Sequence, residues 1–286
     1  MATRHQRAAK AAGKTGDELG RLFAQMGTSQ HPRGAVLSAY RTARKALKGN
    51  FSSLATVEDA LGTLRLAVER ANEILLRDAT EIGLKQAETE LAIYGLELMG
   101  GVGAQTRQEA LRSIIATLEA QITQVRALAL TGADEALVIG DASRVGLLSP
   151  APVSAEASRW LALVAEQSHE EIIQDSIAQA GAGDEYMRQA IAAIDERTTD
   201  CCLRVHGQVV SLDGEFTLTG TPRFADRLHA PPFHWYCRTG IALVRRIDAD
   251  DEWSQEMRDA ARAELTAREE TGQRVEIHPA HARSRR

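Results

Sequence analysis

Apolar residues return every three or four positions through much of the first 180 residues. Between 56 and 99 the stripe runs Leu61, Leu64, Val68, Ala71, Leu75, then Leu84, Ala87, Leu91, Tyr94 and Leu98. This spacing predicts one long helix or a helical pair, of bundle length or suited to contact with a second copy. Gly100, Gly101 and Gly103 end it. Thr56 with Asp59, and Thr106 with Glu109, have the spacing of a helix-start capping box. Leu111, Ile114, Ile115, Leu118, Ile122, Val125 and Leu128 predict an amphipathic helix over 107–130. Gly132, Gly140, Gly146, Pro150 and Pro152 make 131–153 a linker with one short helix. Ser154 is placed to cap a further helix, 155–180, through Trp160, Leu161, Val164, Ile172, Ile173 and Ile177.

The period then changes. VVSLDGEFTL sets Asp213 and Gly214 between short β-prone runs, a hairpin signal. Pro222, Pro231 and Pro232 fix an extended path that cannot pair as a central strand. IALVRRI, Ile241 to Ile247, reads as a strand. Residues 248–270 hold nine acids and three arginines, with Trp253, Met257, Ala260 and Leu265 on one side, a charged surface helix. The expected fold class is α+β: a mainly helical body with a small, loop-rich, β-containing C-terminal module. The expected division is 1–50, a basic and partly flexible region; 51–153, helical with a linker; 154–247, the compact module; and 248–286, an acidic helix and polar tail.

Composition narrows this. The chain has 286 residues, 44% hydrophobic but only 4% aromatic, so its cores are built from Ala, Leu, Ile and Val, which suits helix packing. No run of eighteen apolar residues occurs, so no membrane partner is expected. The start, MATRHQRAAK, lacks an apolar core before a cleavage site, so no secretory signal is expected. Residues 1–50 carry ten Arg or Lys against Asp17 and Glu18, a net of +8. Arg33, Arg41, Arg44, Lys45 and Lys48 are the candidate contacts to nucleic acid or another acidic partner. No interleaved aromatics suggest base stacking.

The chemistry concentrates in Asp195 to Thr239, which holds all three cysteines (Cys201, Cys202, Cys237) and His206, His229 and His234. Thiolates and imidazoles are zinc's preferred ligands. Cys202 with His206, and His234 with Cys237, have intervals that suit ligand pairs on two turns, with Cys201 able to replace Cys202. A reduced cluster without metal, and a bridge from Cys201 or Cys202 to Cys237, are the alternatives, and a reducing compartment disfavours the bridge. Cys202 with His206 or His234 has the residue types of a thiolate nucleophile and base. No spacing defines an oxyanion site or substrate cleft, so the chain is not expected to be an enzyme. His169-Glu170-Glu171 fails the HExxH pattern because no second His follows.

Asp195, Glu196, Arg197, Thr198, then Cys202 and Gly207, then a proline-rich run closing on His234, Cys237 and Arg238, resembles the head morphogenesis domain of tailed bacteriophages, the family of the phage Mu minor head protein. Thr239 stands where that family's closing motif has a further cysteine. The resemblance spans about 155–245, with its motifs within 195–239. It implies a minor capsid protein, made in the host cytoplasm and resident inside the virion head. Its partners would be the portal protein, capsid or scaffold proteins, further copies of itself, and packaged DNA. A zinc-stabilised nucleic-acid-binding protein and a small Cys/His-dependent hydrolase are the alternative functions.

Overall fold

The computed structural model describes residues 2–25, 32–48, 54–100, 104–130 and 148–272. The Gly140–Gly146 stretch, any short helix within 131–147, and the tail from 273 lie outside the described residues. The chain is α+β: a mostly helical body with a small C-terminal β region. Helices α1 (Arg4–Gln25), α2 (Pro32–Lys48), α3 (Leu54–Tyr94), α4 (Ala104–Leu130) and α5 (Pro150–Ala180) come first. Strand β1 (Tyr186–Ile191), helix α6 (Asp200–Val205) and strands β2 (Val209–Ser211), β3 (Phe216–Thr217), β4 (Arg227–Leu228) and β5 (Gly240–Arg245) follow. Helix α7 (Glu252–Thr271) is the last described element.

Two compact units result, each discontinuous in sequence, whereas the boundaries expected at 50, 153 and 247 are consecutive. One unit comprises Leu22–Arg77 and Ala104–Ala157. Its core is the anticipated helical stripe: Leu61, Leu64, Val68 and Leu75 of α3 and Ile114, Leu118 and Ile122 of α4 are buried. The helix starts differ from those expected. Thr56, Thr106 and Ser154 all lie inside their helices. Helix α5 instead begins at Pro150, whose missing N–H costs nothing at a first helical position, with the Ser149 hydroxyl accepting from Ala151 N at 3.4 Å.

The other unit comprises Met1–Arg21, Asp78–Gly103 and Ser158–Arg286. Its three-stranded antiparallel sheet has the order β2-β1-β5. The expected hairpin is corrected here. Gly214 N does donate to Ser211 O at 3.0 Å, so the turn forms. But β2 pairs with β1, and β3 pairs with β4 in a separate two-stranded sheet. Strand β5 is an edge whose outward groups need partners. Three side chains of α3 at successive i, i+4 positions supply them. Gln86 Nε2 donates to Ile241 O at 2.6 Å, Glu90 accepts from Leu243 N at 3.0 Å, and Tyr94 Oη donates to Leu243 O at 2.9 Å.

Residues 4–25, read from sequence as part of a basic and partly flexible region, are helical and packed. Ala8 lies in one cluster with Leu91, Ile172 and Leu243, and Ala9 and Ala12 lie in another with Ile191 and Ala242. His5 is 1% exposed, with Nε2 2.6 Å from Gln189 Oε1 and Nδ1 3.1 Å from Asp251 Oδ2. A Cβ on Gly16 would stand 2.1 Å from Arg238 O, so only glycine lets α1 approach the closing motif this closely.

Candidate metal centre

The Asp195–Thr198 turn starts the site. Thr198 N donates to Asp195 O at 3.0 Å, and Arg197 N donates to Asp195 Oδ1 at 2.9 Å. Arg238 Nη2 reaches Asp195 Oδ1 at 2.5 Å. Partial burial opposes ionisation of Asp195, but the Arg238 hydrogen bond and charge, with help from Thr198 and the Arg197 N–H, hold its pKa down at about 2. Arg268 of α7, 5% exposed, closes the turn from the other side. It donates to Thr198 O at 2.6 Å and to Asp195 O at 2.8 Å.

Thr199 caps α6: its hydroxyl accepts from Cys202 N at 3.4 Å. The same oxygen lies 2.9 Å from His234 Nε2. His234 Nδ1 lies 2.6 Å from Trp235 O. A carbonyl only accepts, so Nδ1 carries a proton, and whenever the ring is neutral Nε2 presents its lone pair to the centre. Cys202 Sγ is 3.0 Å from that Nε2 and 3.9 Å from Cys237 Sγ. The ligand atoms of Cys202, His234 and Cys237 all lie within 4.8 Å of one another, and all three residues are buried. Tyr236, between the last two, has φ 61°, a left-handed conformation that a bulky side chain adopts at a cost of about 1–3 kcal/mol. That turn brings Cys237 back to face His234.

The three groups perturb one another. The hydrogen bond shared with Cys237, together with burial, pushes the Cys202 thiol well up. Burial also opposes ionisation of Cys237, but the Cys202 hydrogen bond and the neighbouring His234 ring bring it well below the usual thiol range. Burial disfavours the charged form of His234, yet Cys237 raises its pKa. Two sulfurs and one imidazole are a donor set that suits zinc. The cavity beside them is lined by Thr199, Cys202, His234, Arg238 and Thr239. Thr239 is 3% exposed and its hydroxyl has no hydrogen-bond partner among the described residues, an orphaned polar group at the wall of the same cavity.

The sequence proposed four ligands, Cys202, His206, His234 and Cys237. Three meet and His206 does not. His206 ends α6 with φ −56° and ψ 128°, which turns its ring toward β1, where Nδ1 accepts from Ala192 N at 2.9 Å. Burial lowers its pKa to about 4, so it is a neutral, structural ring. Of the adjacent cysteines, Cys202 faces the centre. Cys201 packs in an apolar cluster with Phe216 and Phe233, and burial pushes its thiol up to about 12. All three cysteines are free.

Glu196 and Arg197 are exposed. Gly207 has φ 75° and donates to Ala190 O at 2.8 Å, tying α6 to β1. Among the basic candidates, Arg41 and Lys45 are exposed on α2, while Arg44 Nε donates to Leu148 O at 2.7 Å. The side chains of Arg33 and Lys48 lie outside the described residues. His169 is buried, with Nε2 3.1 Å from Glu90 Oε2. Burial disfavours its charge, but Glu90 raises its pKa. Burial pushes its neighbour Glu166 up to about 8.

Sequence reading missed Thr199 and Arg268 as parts of the site, and marked Thr239 only as the position that lacks the further cysteine. Thr199 was findable, since Thr followed by Asp is a helix-start pattern. Arg268 was not, because it acts across 70 residues. No helix among the described residues is long and apolar enough to cross a membrane. No protein-family model matches this chain, nor does any curated protein or solved structure.

Proposed function

We propose that this chain is a minor capsid protein of a tailed bacteriophage or prophage, acting without catalysis in head assembly near the portal. It would work in the host cytoplasm during assembly and remain in the head interior. One observation carries the reading. Asp195, Thr198, Cys202, His234, Cys237 and Arg238, six of the nine residues on which the family resemblance rests, come together from the Asp195–Thr198 turn, α6 and the His234–Arg238 turn. They act there as fasteners: Arg238 holds the Asp195 turn, and the His234–Cys237 turn is held against α6. A nucleophile needs an approach for its substrate, and Cys237 is 0% exposed and Cys202 3% exposed. This favours a rigid structural module over the hydrolase alternative.

The test is deletion of the gene in the phage or prophage that carries it, with complementation in trans. Electron microscopy should show aberrant or poorly filled heads, and the wild-type gene should restore them. Normal heads and an unchanged infectious titre after deletion would overturn the reading.

A further inference from the structure

We infer that Cys202, His234 and Cys237 hold one zinc ion through three protein ligands, with a solvent molecule as the fourth ligand on the side of the Thr239 hydroxyl. The inference stands on the local geometry and is independent of the head-assembly reading. Four observations meet here. The donor atoms converge from α6 and from the His234–Cys237 turn. The Trp235 carbonyl fixes the His234 proton on Nδ1 and leaves Nε2 for a metal, as backbone carbonyls behind the histidine ligands do in zinc sites. Tyr236 is held in a left-handed conformation that aims Cys237 at the centre. Thr239 brings to the cavity wall a buried hydroxyl with no partner among the described residues.

The Thr239 hydroxyl is a poor zinc ligand but a suitable partner for a zinc-bound water. This assigns a role to the position where the resembled motif has a further cysteine. One enclosed water would take the fourth position in place of a thiolate, beside the buried Thr239 hydroxyl. Charge and protons balance. In the metal-free protein the two thiols and the imidazole together hold two protons that zinc must displace, whether as two thiols or as one thiol and an imidazolium. Binding therefore releases two protons and leaves two thiolates and a neutral ring around a dipositive ion, with no net charge to bury. The ion would join α6 to the closing turn across 35 residues of sequence, supplying the cross-link that so small a module otherwise lacks.

The test uses untagged full-length protein expressed with zinc in the medium and dialysed against metal-free buffer. Elemental analysis should give one zinc per chain. Cobalt exchanged into the wild-type protein should show the intense visible bands of a tetrahedral ion and a near-ultraviolet thiolate charge-transfer band. Cys202→Ser, Cys237→Ser and His234→Ala should each lose the ion, and His206→Ala should retain it. Thr239→Val should keep one zinc but weaken it about 10–100-fold in chelator competition, the range for loss of an outer-shell partner. Where a ligand variant fails to fold, the cobalt spectrum of the wild type still decides. Folded wild-type protein with no zinc and no cobalt spectrum would overturn the proposal. So would an ion whose retention depends on His206.

Discussion

Replacing Arg268 with Met keeps the length and apolar stem of the side chain but removes every donor. The wild-type guanidinium is 5% exposed and donates to two main-chain carbonyls, Thr198 O at 2.6 Å and Asp195 O at 2.8 Å. A hydrogen bond to a charged group contributes about 1.5–3 kcal/mol. Asp195 O keeps the Thr198 N–H, so its loss falls at the low end of that range. The pair with Glu264, whose carboxylate is 34% exposed, adds at most about 0.5 kcal/mol. Some packing of the Met side chain offsets the total, and Arg268→Met should cost about 3 kcal/mol. Trp160, Trp235 and Trp253 are the chain's three tryptophans, and all belong to the unit that contains Arg268. Their fluorescence therefore reports the relevant unfolding. With a urea m-value of about 2 kcal/mol/M, the midpoint should fall by about 1.5 M. Arg262→Met is the control: its side chain is 67% exposed and pairs with Asp259, itself 57% exposed, so it should shift stability by no more than about 0.5 kcal/mol. Equal midpoints for the two variants, with zinc content held constant, would refute the idea that α7 fastens the Asp195–Thr198 turn.

Three further outcomes follow from the same physics. The Asp195 carboxyl titrates near 2 in the fold and near 3.8 otherwise, so its contribution is present above the higher value and fades as pH falls through the lower. Urea midpoints of Asp195→Asn should accordingly drop less than wild type between pH 5 and pH 2. The Glu166 carboxyl is raised to about 8 from 4.5, so the folded form is favoured below the lower value and loses stability as pH rises through the upper one. Glu166→Gln, which resembles the protonated acid, should gain on wild type between pH 5 and pH 8.5 in the same assay, and a constant difference would contradict this. Gly207→Ala meets both a φ of 75° and an Arg258 Cγ 2.8 Å from the added Cβ. It should destabilise by about 1–3 kcal/mol in thermal unfolding.

What was legible in the sequence was what local periodicity encodes. The α3, α4 and α5 stripes are regular and apolar, and β5 is a short β-branched run. Strand β1 was hidden because Arg188 and Gln189 lie at buried positions in it. They are tolerated there because other elements meet them: Glu170 and Gly214 O meet Arg188, and His5 and Ser254 meet Gln189. Helix α1 was hidden because its buried face is largely alanine, and its charges dominated the reading. The Asp213–Gly214 turn was visible, but pairing of β2 with β1 rather than β3 depends on where α6 delivers the chain. At the site, the His234–Cys237 pair could be read from spacing. The choice of Cys202 over Cys201, and the exclusion of His206, needed the direction of each side chain at the two ends of a six-residue helix.

The proposed role is that of a non-enzymatic component of the phage head. It is tested most directly by quantitative mass spectrometry of purified, nuclease-treated heads. That role predicts the chain in intact particles at a few copies for each portal ring, protected from external protease until the heads are opened. Absence from purified heads, with the protein recovered only in the soluble lysate, would contradict it.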